Sequence, residues 1–141
     1  MGGVAPPAAE RPMRRRRLKV YFDGGCRPNP GRIEAAVVAR GVTYFLDDLG
    51  SGTSGDAEWL ALQAALEIAQ TLGAQDFELV GDSANVIAQA NGSAPCRTRA
   101  ALDHRARYLD LLAAGRPVRL RWIARTQNLA GIALARRHSM S

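Results

Sequence analysis

Apolar and polar residues alternate along Leu18–Asp23, with Leu18, Val20 and Phe22 on one side and Lys19, Tyr21 and Asp23 on the other. A period of two in a stretch rich in β-formers predicts a half-buried strand. It is expected to stop at Asp23, because Gly24-Gly25 and then Pro28-Asn29-Pro30-Gly31 favour tight, irregular backbone. Ala35–Arg40 and Val42–Leu49 predict two more strands around a turn near Gly41, an antiparallel meander with the first. Ser51–Gly55 reads as a loop, after which the period changes. Ala57, Leu60, Ala61, Ala64 and Ile68 recur at helical spacing, predicting a helix over Ala57–Leu72 that ends at Gly73. Asp56 or Ser54 is its expected cap, which places Glu58 in the first turn.

Phe77–Val80 is a short apolar strand, and Gly81-Asp82-Ser83 turns into a helix over Ala84–Ala90, closed by Asn91-Gly92. A helix over Arg97–Ala114, a strand over Val118–Ile123 and a last helix over Asn128–Arg137 follow. The order βββαβααβα describes a mixed α/β sheet in one domain, a meander extended by strands with crossover helices.

Composition narrows the class. A chain of 141 residues, 47% apolar and 23% charged, is an ordinary single globular domain. It has no apolar run long enough to span a membrane and no apolar signal segment, so neither a membrane nor an export role is expected. Cys26 and Cys96 lack metal-type spacing and read as free thiols of a reducing compartment, the cytoplasm, with a disulfide between them as the alternative.

The net charge is +6, and its placement matters more than its sum. Residues 1–17 carry five arginines against one glutamate and no apolar period, which predicts a disordered basic arm ahead of a domain spanning 18–141. The arm could grip phosphates; a leader ahead of Met13 and an arginine-rich transit peptide are the other readings. After Asp110 there is no acidic residue, while Arg116, Arg119, Arg121, Arg125, Arg136 and Arg137 follow. Such a surface suits a polyanion, most simply nucleic acid.

Candidate chemistry comes from three carboxylates. Asp23 ends the first strand, Glu58 opens the first long helix, and Asp82 ends the fourth strand. Asp before Gly is ordinary turn chemistry, so Asp23 alone says little. If the first and fourth strands are neighbours and the helix packs across them, however, all three meet at one spot. They would repel one another unless cations lay between them. Hard oxygen ligands suit Mg²⁺ or Mn²⁺, and two such ions about 4 Å apart can activate a water and stabilise the leaving oxygen of a phosphodiester.

Tyr21-Phe22-Asp23-Gly24-Gly25 with Asn29-Pro30-Gly31, Thr53 with Ala57-Glu58-Trp59-Leu60-Ala61-Leu62, Asp82-Ser83-Ala84-Asn85-Val86-Ile87, and Trp122-Ile123-Ala124-Arg125-Thr126-Gln127-Asn128 occur in the order and spacing of type 1 ribonuclease H. The chain resembles that family from about Leu18 to Arg137. The resemblance implies an RNase H-like, five-stranded mixed sheet, an antiparallel three-strand meander extended by parallel strands, with helices on both faces. It also implies a metal-dependent endoribonuclease that cuts the RNA strand of RNA–DNA hybrids, leaving 3′-hydroxyl and 5′-phosphate ends. Asp23, Glu58 and Asp82 would hold Mg²⁺ or Mn²⁺, two ions when substrate is bound, with Glu58 near the RNA 2′-hydroxyl. Gly24, Gly25, Asn29, Thr53, Ser83 and Arg125 would meet the substrate, Asn29 near its backbone and Thr53 at a DNA phosphate. A monomer with no obligate protein partner is expected.

The pattern breaks at the last helix. The family places an aspartate in Asn-x-x-Ala-Asp-x-Leu-Ala, where this chain has Asn128-Leu129-Ala130-Gly131-Ile132-Ala133-Leu134-Ala135. Ile132 cannot bind a metal. Asn128 either supplies an amide oxygen as a fourth, catalytic ligand or caps the helix. The glycine-rich stretch after Asn-Pro-Gly is replaced by Arg32-Ile33-Glu34, and the basic protrusion is reduced to Asn91–Arg99. His104 and His138 read as surface histidines, and Trp59 and Trp122 as core. A hybrid- or duplex-binding domain without cleavage is the competing function, because of Ile132; another nuclease or resolvase on the same fold is a third.

Overall fold

The computed structural model describes residues 17–115 and 118–139, so all of the proposed arm over residues 1–17 except Arg17, which pairs with Asp76 at 2.9 Å, lies outside the described residues. Among the described residues six strands and four α-helices are formed: β1 Leu18–Cys26, β2 Gly31–Ala39, β3 Val42–Leu46, β4 Ser51–Gly52, α1 Ser54–Thr71, β5 Phe77–Gly81, α2 Ala84–Asn91, α3 Arg99–Ala113, β6 Arg119–Trp122 and α4 Leu129–Ser139. The sheet order is β3-β2-β1-β5-β6, with the two-residue β4 pairing β2. β1, β2 and β3 form the expected antiparallel meander, while β5 and β6 extend it in parallel.

The alternation seen in the sequence divides the core between two faces. Val20, Phe22, Ala35, Val37 and Ala39 face α1, whose Ala57, Ala61, Ala65 and Ala69 are fully buried. Small side chains let this helix lie close to the sheet, and Leu62 and Leu66 fill the space between. Each such leucine contributes about 1.5–3 kcal/mol by burial. Tyr21, Ala36 and Val38 point to the opposite face, where Ala130 and Leu134 of α4 cover them. Gln63 and Gln70 of α1 donate to the carbonyls of His104 and Leu111, at 3.1 and 3.0 Å, and stitch α3 alongside. Cys26 and Cys96 are free thiols, and no described helix is long and apolar enough to cross a membrane.

Several boundaries move, each for a local reason. β1 does not stop at Asp23: Gly24, Gly25 and Cys26 continue the ladder opposite Ala35, Glu34 and Ile33. α1 starts earlier than expected and neither Asp56 nor Ser54 caps it. Thr53 does, accepting from the Asp56 amide while the Asp56 carboxylate accepts from the Thr53 amide, a reciprocal capping box. Glu58 is therefore the fifth helical residue, in the second turn rather than the first. Trp122 is not core; it sits on the edge strand, 51% exposed, its indole N–H donating to the Asp82 carbonyl at 3.2 Å. His104 is no plain surface residue either, since it stacks on Trp59 and pairs with Asp56 at 2.9 Å.

Candidate active site

Parallel pairing of β1 with β5 sets the site. Tyr21 pairs with Val80, so Asp23 and Asp82, each two residues further on, stand level just beyond the last pair of the β1–β5 ladder. α1 crosses β1 at Gly24, and only a missing side chain permits that approach: a Cβ there would lie 2.1 Å from the Ala57 carbonyl oxygen. The crossing carries Glu58 to the same strand end, where its Oε1 accepts from the Gly24 amide at 2.7 Å. One oxygen from each of Asp23, Glu58 and Asp82 lies within 4.8 Å of the others.

These groups line one end of a groove of about 710 Å³, together with Gly24, Gly25, Ser83 and Arg125. Burial, then the neighbouring Asp82 charge, pushes the Asp23 carboxyl up to about 7. Burial, then Asp23, pushes Glu58 up to about 8, against the bond from Gly24. A buried, mutually repelling cluster whose donors are all carboxylate oxygens fits a hard divalent cation. The cation paired with the cluster is an exposed one: Arg125 Nε lies 3.7 Å from Asp82 Oδ2 on a side chain 90% exposed.

The remaining expected site residues divide. Ser83 caps α2, accepting from the Val86 amide, and lines the groove. Asn29 and Thr53 stand at the start of α1 instead. Asn29 donates to Ser54 Oγ at 3.2 Å and accepts from the Ser54 amide at 3.1 Å, and Thr53 is held by Asp56. Asn128 takes the capping alternative. It is wholly buried, its Oδ1 accepts from the Ala130 amide at 3.1 Å, and its Nδ2 donates to the Phe22 carbonyl at 3.0 Å. Both ends of the amide are engaged in anchoring α4 beside Asp23. Gly131 there lies against the carboxylate: a Cβ would be 3.5 Å from Asp23 Oδ2. Ile132 lines the groove, as do Arg27, Glu34 and Asn85, which the sequence reading did not assign to the site.

The reverse-transcriptase-like family model matches residues 22–138. Ribonuclease HI of Halobacterium salinarum is 39% identical over 95 residues, which cover 61% of this chain and 46% of that protein. The chain thus spans about half the length of this relative. The crystal structure of RNase H1 from the same archaeon superposes with a TM-score of 0.77 at 31% identity, covering 84% of this chain and 94% of that one. The chain belongs to the ribonuclease H type 1 family. LC11-RNase H1, isolated from compost by a metagenomic approach, is similar at 26% identity and a TM-score of 0.74, covering 89% of this chain and 99% of that one. Within this family the five-strand order with a helix-covered face on either side is the expected fold, and the carboxylate cluster falls at the strand ends that the motifs mark.

Proposed function

We propose that this chain is a divalent-metal-dependent endoribonuclease cleaving the RNA strand of RNA–DNA hybrids and leaving 3′-hydroxyl and 5′-phosphate ends. The convergence of Asp23, Glu58 and Asp82 within 4.8 Å carries the reading; family membership supplies the substrate class. Those three residues hold the cations, two with substrate bound, which supply an activated water and charge for the leaving oxygen. Asp23 and Glu58 retain protons near neutral pH, which they would give up on holding a cation.

The chain's other groups position the hybrid. Gly24 and Gly25 let the strand's backbone approach the site, and the Gly24 amide holds Glu58 toward the groove. A carboxylate there can accept from a 2′-hydroxyl, the group that separates RNA from DNA. Asn29 and Thr53 present the positive end of α1 to backbone phosphate. Arg125, largely in solvent, swings from Asp82 to phosphate, and Ser83 fixes the start of α2 beside Asp82. The chain works as a cytoplasmic monomer, and its +6 charge favours the polyanion.

Cleavage of an end-labelled hybrid with Mg²⁺ or Mn²⁺ tests this. Wild type should cut only the RNA strand, and Asp23→Asn should lose at least about 100-fold in rate. Binding of the hybrid with no cleavage under either metal would replace this reading with the non-cleaving one.

A further inference from the structure

The groove holds one more acidic side chain besides the triad. Glu34 of β2 stands opposite Gly25 of β1, just as Ala36 stands opposite Asp23. Directly opposed residues share a face, so Glu34 and Asp23 project from the same side of adjacent strands, one diagonal step apart. The intervening Gly25 leaves the space open, because a Cβ there would meet nothing within 4 Å. Both carboxylates line the same groove.

Across the groove, α4 offers only Gly131, Ile132, Leu134 and Ala135, none of them able to balance a cation. The last turn of α4 instead holds Glu34. His138 Nε2 hydrogen-bonds one carboxylate oxygen, and Arg137 Nη1 lies 3.7 Å from the other. Arg137 makes its closer bonds to Asp47, at 3.0 and 2.6 Å, so its charge is shared rather than spent on Glu34.

We propose that Glu34 is the acidic group serving the α4 side of the cation site, holding a divalent ion through ordered water while His138 and Arg137 fix its carboxylate. Three carboxylates leave a pair of divalent ions one negative charge further from balance than four do, and Glu34 is the acidic residue this chain adds to the groove. The inference rests on the metal-dependent reading above.

Calorimetric titration of the substrate-free protein with MnCl₂ tests it without reference to cleavage. Wild type, Asp23→Asn, Glu34→Gln and the double variant Glu34→Gln/Ile132→Asp are compared. Loss of the Glu34 charge should weaken Mn²⁺ binding about tenfold, and Ile132→Asp should restore it to within about threefold. Wild-type affinity in Glu34→Gln overturns the proposal. So does a loss that Ile132→Asp leaves unrestored, since Glu34 would then act only by holding α4. If wild type takes up no Mn²⁺, or takes it up equally after Asp23→Asn, the metal-dependent reading fails and the Glu34 proposal with it.

Discussion

At Gly24 a Cβ would lie 2.1 Å from the Ala57 carbonyl oxygen and 2.5 Å from its carbon, whereas at Gly25 it would meet nothing within 4 Å. The two adjacent glycines therefore do different things. Gly24 sets how closely α1 can cross β1, and hence whether Glu58 reaches the strand end; Gly25 leaves room in the groove. Gly24→Ala must push α1 backbone outward and should cost more than about 3 kcal/mol, the upper range for overpacking. Gly25→Ala should be neutral or stabilise by up to about 1 kcal/mol, as replacing an unstrained strand glycine does. Urea unfolding of the two variants checks this, and equal costs would refute the crossing argument. At this scale the triad itself was legible, because acidic residues at strand ends and early in a helix leave a spacing that survives errors of a residue or two. The distinction between the glycines was not, since it depends on a helix distant in the chain. Glu34 was visible only as a departure from a glycine-rich stretch, and its meaning came from the register that places it opposite Gly25.

Element boundaries and caps depend on hydrogen bonds that a hydrophobic pattern does not encode. The ladder through Gly24–Cys26 continues because β2 supplies partners opposite, although glycines in a sequence argue for a stop. Likewise α1 extends back to Ser54 because Thr53 and Asp56 satisfy each other, not because those positions are apolar. His104 then fixes Asp56 from α3 at 2.9 Å. Trp122 was misplaced because alternation along β6 marks which residues share a face, while an edge strand leaves part of that face uncovered. Asn128 shows what a cap can do beyond closing a helix: it ties α4 to β1 at the residue before Asp23. Asn128→Ala would strand two buried backbone groups and should cost about 2 kcal/mol. Asn128→Asp keeps an acceptor for the Ala130 amide but loses the donor to Phe22 and buries a charge beside three carboxylates, so it should cost more than alanine. Thermal unfolding at pH 7 ranks them: an alanine variant as stable as wild type would contradict the capping role, and an aspartate variant as stable as wild type would contradict the tie to Phe22.

For the whole molecule, the carboxylate cluster makes stability depend on pH and metal together. The Asp23 and Glu58 carboxyls sit at about 7 and about 8 in the folded chain, above their ordinary values of 3.8 and 4.5. Below the ordinary values both are protonated whether the chain is folded or not, and the cluster imposes no penalty. As pH rises from there toward about 8, the unfolded chain releases protons that the folded chain keeps, so folding becomes less favourable. Asp47 and Asp56 shift the other way, held down by Arg137 and by the Thr53 amide respectively. Their contribution is complete above the ordinary aspartate value and is lost only in stronger acid, outside this window. In EDTA the wild-type Tm should therefore fall between pH 5 and pH 8 by more than that of Asp23→Asn, the gap widening to about 3 °C or more at the upper end. The comparison with Asp23→Asn isolates Asp23 and its coupling to Glu58 from every other group titrating in that range. Mg²⁺ or Mn²⁺ replaces the displaced protons, so it should raise the wild-type Tm strongly at pH 8 and little at pH 5. A differential scanning fluorimetry series over pH, with and without metal, reads both effects. Parallel curves for the two proteins in EDTA would mean that Asp23 and its repulsion with Glu58 and Asp82 do not burden the fold, and the electrostatic case for a cation between them would fail.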